Sequence, residues 1–190
     1  MKKLILLAVC GLFFSTLSFS QNTYKLDGNH ARLTFSVKHM GISFVEGIFK
    51  TFDATLVSKK QDFSDAQIEL TADVKSISTE VEMRDNDLRK DWFEVEKFAT
   101  LNFKSTSFKK VSDKNYLLKG NITLHGVTKP ITFNVVFNGK ATNAFYKKDY
   151  VGFTITGKLN RSDFGIGKEP LQTGVGNEIG LRSNVEFVIN

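Results

Sequence analysis

The chain has one cysteine, two prolines and one tryptophan in 190 residues. The cysteine, Cys10, lies in the first apolar run, so the remainder has no disulfide and no thiol chemistry. Stability there must come from packing and backbone hydrogen bonds. Pro130 and Pro170 do not make a proline-rich hinge, and there is no low-complexity linker or internal repeat. The three histidines, His30, His39 and His125, are few for a metal centre. His30 and His39 are nine positions apart; at about 3.3 Å per residue they sit near opposite ends of one strand. No basic stripe of the kind that tracks nucleic acid is present, because lysines and arginines are interspersed with acids at a formal charge of +6.

Only one apolar run is long. Lys2 and Lys3 precede residues 4–14, and small and polar residues follow to Ser20. That order is the signature of a secretory signal, with cleavage expected between Ser20 and Gln21. The run is shorter than the roughly 20 residues that span a bilayer. Cys10 lies inside it, misplaced for lipoprotein processing. The expected organisation is a leader over 1–20 and a single domain over 21–190, in the periplasm or secreted. Losing two lysines lowers the formal charge to +4. Such a mildly cationic surface is compatible with transient contact with a membrane surface.

The rest of the chain is rich in alternation. Leu33, Phe35 and Val37 face one way, and Arg32, Thr34, Ser36 and Lys38 the other. Period two means a half-buried strand. Comparable runs occur at 45–56, 67–75, 100–108, 116–124, 131–139, 150–160 and 180–189. Most are joined by short turns, which predicts an antiparallel barrel or sandwich. Residues 79–93 break the pattern with helical spacing. Thr79 and Glu82 have the spacing of a capping box; Val81, Leu88 and Trp92 share a face, with Arg84 beside it. Residues 161–176 hold four glycines and Pro170, a loop too long for a hairpin connection.

An eight-stranded barrel has room for its own side chains or for one slender guest. Small inward residues, among them Ala72, Gly120, Gly157 and Ser183, alternate with Phe and Leu. Two readings follow: large and small residues interdigitate in a closed core, or phenylalanines wall a lumen.

Three islands bear on this choice. The first is LDGNHARLTFSVKHMGISFVEGIFKTFDA, with His30, His39, Gly41 and Gly47. The second is MRDNDLRKDWFEVEKFATLNFKSTSF, in which an arginine-bearing helix runs into an aromatic pair and a strand. The third is GNITLHGVTKPITF, followed by LNRSDFGIG. In this order they resemble the YceI family of exported, lipocalin-like barrels that bind polyisoprenoids or other long-chain lipids. The resemblance spans essentially all of 21–190. Two positions depart from the family pattern: Trp92-Phe93 stands where two phenylalanines are usual, and Ala99 where a proline is common.

The resemblance implies an all-β, eight-stranded antiparallel lipocalin-like barrel with one short helix and a long Gly-rich loop. It implies an apolar tunnel for an isoprenoid or acyl tail, with a bound long-chain lipid as the only cofactor-like group, and it is compatible with a homodimer. On that reading Trp92, Phe93, Phe98 and Phe103 line or gate the cavity. Phe35, Phe44, Phe49, Phe133, Phe153 and Phe164 form its walls, with Leu88 on the buried face of the helix. Arg84 and Arg161, with Lys168, are candidates for a carboxylate or phosphate head; the structural alternative pairs Arg84 with Asp85, Asp87 or Asp91. His30 and His39 each tether a loop or line a polar patch, and one contacts the polar end of a ligand or a neighbouring carboxylate.

Enzymatic motifs are lacking. No Gly-Lys-Ser/Thr follows Gly165-Ile166-Gly167. Residues 41–45 lack the closing glycine of a nucleophile elbow. Glu94 and Glu96 are expected to be solvated. The leading expectation is therefore a non-enzymatic carrier of a long-chain amphiphile. An enzyme using a histidine base in the same cavity and a filled barrel serving as an adhesion or stress-response surface are the alternatives.

Overall fold

A computed structural model describes residues 21–167 and 174–189; the leader expected over 1–20, and Lys168, lie outside the described residues. Eleven strand segments form one antiparallel sheet: β1 (Asn22–Leu26), β2 (Arg32–His39), β3 (Ser43–Phe49), β4 (Phe52–Ser58), β5 (Gln67–Asp73), β6 (Ile77–Ser78), β7 (Thr100–Lys110), β8 (Asn115–Leu124), β9 (Val127–Asn143), β10 (Lys148–Asn160) and β11 (Val175–Ile189). Short kinks separate β1 from β2, β3 from β4 and β5 from β6. Each pair is one bent strand, so the sheet is an eight-stranded barrel.

β11 closes it. One edge of β11 pairs with β10 from Tyr150↔Val188 to Asn160↔Glu178. The other edge meets β2 through Leu33↔Ser183 and Val37↔Ile179, and then β1 through Leu26↔Phe187 and Tyr24↔Ile189. β11 starts at Val175, five residues before the run expected from periodicity. Its early residues Gly176 and Asn177 lie in an irregularity of the pairing with β2 and do not alternate; Arg161 Nε donates to the Gly176 carbonyl and the Ser162 amide to Asn177 Oδ1.

The inward faces are those that period two predicts. Along β9, Ile131, Phe133, Val135 and Phe137 are sheltered while Thr132, Asn134, Val136 and Asn138 are exposed. The depth of burial differs between the two ends of the barrel. At one end Leu56, Leu118, Val135, Val151, Phe153 and Phe187 are buried almost completely. At the other, inward-pointing Phe35, Phe133, Leu159 and Leu181 are only half-buried. The barrel is solid at one end and hollow at the other, so both sequence readings of its interior hold, each over part of its length.

The solid end is sealed by the loop between β4 and β5. Phe63 has no exposed surface and packs edge-on to Tyr24 and Phe153 at 5.5 Å. Its φ of 59° is a left-handed conformation that costs a bulky residue energy. Asp65 accepts hydrogen bonds from Ser58 Oγ (2.6 Å) and the Lys59 and Lys60 amides, fixing the loop. Tyr116 Oη adds one to the Asp62 carbonyl at 2.7 Å. Replacing Phe63 by Ala should lower stability in urea by about 3–5 kcal/mol, the range for deleting a core aromatic.

Candidate functional site

The hollow end contains a cavity of about 250 Å³. Its walls are the upper parts of β2, β3, β7, β8, β10 and β11, and it is roofed by the helix and by the loop after β10. A narrower chamber of about 90 Å³ continues toward the solid end. Phe49, Leu101 and Leu181 line both chambers and form the waist between them. Phe153, at the far side of the lower chamber, packs against the Phe63 plug.

Glycines make the lumen. A methyl group at Gly47 would overlap the Phe35 ring, one at Gly120 the Phe103 ring, and one at Gly157 the Phe133 ring. With no side chain beneath it, each ring lies against the wall instead of crossing the axis. The small inward residues therefore create space indirectly, by seating the large ones.

The roof is α1 (Glu82–Asp87), continued by a wider π turn over Leu88–Trp92. The capping box expected between Thr79 and Glu82 does not form. Val81 is the N-cap and its side chain makes no cap. The Thr79 hydroxyl instead donates to buried Asp85 Oδ1 at 2.5 Å, and the Thr79 amide donates to the same oxygen at 2.7 Å. Burial pushes the Asp85 carboxyl up, but the Thr79 hydrogen bonds and the nearby Arg89 charge outweigh it and hold the group below the ordinary aspartate range. Nor does Arg84 form an ion pair with Asp85, Asp87 or Asp91. Its Nε donates to Thr79 Oγ1 at 2.7 Å and an Nη to the Thr79 carbonyl at 3.0 Å, and it lines the cavity. Arg89 anchors the roof, donating to the Lys75 and Ile77 carbonyls at 3.0 Å each.

Arg161 opens the 3-10 turn Arg161–Phe164 and is only 2% exposed. It donates to the carbonyls of Gly176, Ile166, Gly167 and Val175 at 2.9–3.0 Å. Its guanidinium lies 4.9 Å from the Trp92 ring centre, a cation–π contact that joins the loop to the roof. Burial lowers its pKa. No ion pair among the described residues involves Arg84 or Arg161. Both guanidinium groups border a mostly apolar space whose other polar lining residues are His39, Thr79 and Asp87.

Of the residues expected at the site, Phe35, His39, Phe49, Arg84, Leu88, Trp92, Phe93 and Arg161 line the upper chamber. Phe103, Phe133 and Phe153 line the lower one. Four lie elsewhere. His30 is outside the barrel, hydrogen-bonded through Nδ1 to Asp27 Oδ2 at 3.0 Å. Asp27 also caps the Asn29 amide, so although Asp27, His30 and Glu186 place ligand atoms within 4.8 Å of one another, the turn accounts for two of the three. Phe44 points outward, because alternation on β3 sends Val45 inward in its place. Phe98 packs on His125, ring centres 4.4 Å apart. Phe164 is buried behind the wall, and its carbonyl meets His125 Nδ1 at 2.9 Å.

The His125 clasp is absent from the sequence reading. Its Nε2 faces Glu94 Oε2 at 3.2 Å, and Glu94 also binds Lys97 Nζ at 2.6 Å. Glu94 is thus engaged rather than simply solvated. The β8–β9 turn in this way holds the end of the roof and the loop after β10 together. Both ring nitrogens face acceptors, the Phe164 carbonyl and the Glu94 carboxylate. The aliphatic wall includes Val37, which the alternation of β2 turns inward, together with Val45, Leu101, Leu124 and Ile179.

A one-ended apolar chamber inside an eight-stranded barrel, roofed by a helix and bordered by arginines, agrees with the family model that matches residues 24–187, that of the YceI-like domain. The chain belongs to the YceI family. A UPF0312 protein of Staphylococcus aureus is 33% identical over 172 residues, covering 88% of this chain and 98% of the relative. A YCEI protein of Campylobacter jejuni shares the fold with a TM-score of 0.69 at 27% identity, over 80% of this chain and 88% of that one. A polyisoprenoid binding domain from Saccharophagus degradans superposes with a TM-score of 0.66 at 12% identity, over 88% and 98% respectively; at that identity the likeness is one of fold. The bent strands and closed sheet of this YceI chain match that shared fold.

Two expectations follow from the site. Gly47→Ala should drive the Phe35 ring toward the lumen, cost about 1–3 kcal/mol as overpacking does, and shrink the upper chamber in a crystal structure. Asp85 should contribute stability that is fully present above about pH 4, its ordinary unfolded value, and lost as pH falls through its lower native value. Thermal unfolding of Asp85→Asn should accordingly vary less with pH in that acid range than unfolding of the parent.

Proposed function

We propose that this protein binds and carries a long-chain amphiphile, without chemistry on it, in the periplasm or outside the cell. The observation that carries the reading is the apolar hollow that narrows from the mouth through the waist of Phe49, Leu101 and Leu181. A tail lies along it, and each buried methylene contributes about 0.8 kcal/mol. Part of that gain offsets the ordering of a flexible chain. Arg84 and Arg161 sit where a polar head remains near the mouth, which favours carboxylate, phosphate or carbonyl oxygens as acceptors. The Saccharophagus domain of the same fold, described as polyisoprenoid-binding, supports an isoprenoid or acyl tail. The upper chamber is slightly smaller than the roughly 300–1,000 Å³ usual for ligand pockets, so a long guest also occupies the lower chamber.

The histidine positions argue against chemistry on the guest. His30 lies outside the cavity, His125 is held at both nitrogens, and His39 is exposed at the rim. Mass spectrometry of the protein purified from cells, first native and then denaturing, should release one apolar molecule per chain. Protein that carries only its own mass, and from which organic solvent extracts nothing, would count against the reading.

A further inference from the structure

The mouth is rimmed by apolar side chains that the fold leaves in water. Met40, Ile42 and Phe44, on the β2–β3 hairpin, are 63%, 89% and 66% exposed. Met83, at the start of α1, is 76% exposed. β6 runs antiparallel to β3, so the chain leaving it heads toward this hairpin tip, and the helix start lies at the same end of the barrel. The tip is held in shape. Met40 (φ 53°) and Gly41 (φ 76°) make the left-handed turn, and the Met40 amide donates to the Gly174 carbonyl at 2.7 Å.

We propose that this rim docks the protein on the surface of a phospholipid bilayer, with the tip of the β2–β3 hairpin entering the interface. The inference rests on the carrier function proposed above and names the surface with which cargo is exchanged. Three observations carry it. The exposed residues flank wall residues: His39 and Val45, the neighbours of Met40 and Phe44, line the cavity. An apolar tail can therefore pass between bilayer and lumen along an apolar rim without crossing water. The exposed apolar side chains of Met40, Ile42 and Phe44 are gathered at the turn of one hairpin, which suits insertion. A stable contact between two copies needs about 800 Å² per partner on a matched surface. Charges beside the tip are mostly acidic, with Lys38 and Glu46 on the strands, Glu80 before the helix and Glu82 at its start. Docking is thus apolar and requires no anionic lipid.

The barrel carries its own control. Phe145 is 86% exposed, but on the β9–β10 hairpin at the sealed end. In flotation with phosphatidylcholine vesicles, the protein should partition to the lipid. Ile42→Asp combined with Phe44→Asp should reduce that partition at least tenfold, and Phe145→Asp should leave it unchanged. Native mass spectrometry of the double variant should still find its guest, which separates docking from binding. Guest-loaded protein that does not float overturns the docking proposal alone, whereas protein without a guest overturns the carrier reading as well. Equal loss with Phe145→Asp also overturns docking. So does sedimentation showing that the parent is a dimer which the double variant splits, because the rim would then be a contact between copies.

Discussion

Everything in this molecule depends on β11 keeping both of its edges paired. A sheet with an open edge could flatten or recruit another strand. Here one fifteen-residue strand carries β10 on one side and, on the other, first β2 and then β1 past the kink at residues 27–31. With that ring of hydrogen bonds complete, the interior is a fixed volume, and the side chains decide how much of it stays empty.

The division of that volume is a matter of where glycine lies opposite phenylalanine. Near the sealed end, rings meet rings: Phe63 and Phe187 pack edge to face on Phe153, and Phe137 meets Phe63 and Phe153 at a tilt. Farther up, Phe35, Phe103 and Phe133 each rest on a glycine of a neighbouring strand. The same residue type thus fills one half and walls the other. At the top, Arg84, Asp85 and Arg161 are held by backbone and hydroxyl partners. Their role is to fix the roof and to present positive charge beside an apolar space.

The strands were legible in the sequence because period two survives in nearly every one of them, from Leu33, Phe35 and Val37 to Val185, Phe187 and Ile189. Aromatic identity was a poorer guide to the site than alternation. Phe44 is large and lies in the right strand, yet its phase turns it outward, while the smaller Val45 lines the wall. Phe98 and Phe164 are sheltered, but in the loops that clasp His125. Contacts between segments distant in the chain leave no local pattern. That is why the Glu94–His125–Phe164 clasp and the Phe63 plug were invisible until the barrel was closed. The helix start misled for a related reason: Thr79 has capping chemistry, but its hydroxyl accepts from Arg84 Nε and donates to a buried aspartate six residues on, and Val81 takes the N-cap position.

The Phe63 seal has a consequence for traffic. On the carrier reading proposed above, a tube stopped at one end has a single door, so a guest must back out by the way it entered. The end that arrives first is the last to leave. Nothing can be pushed through from behind, and turnover is governed by whatever waits at the opening to receive the cargo.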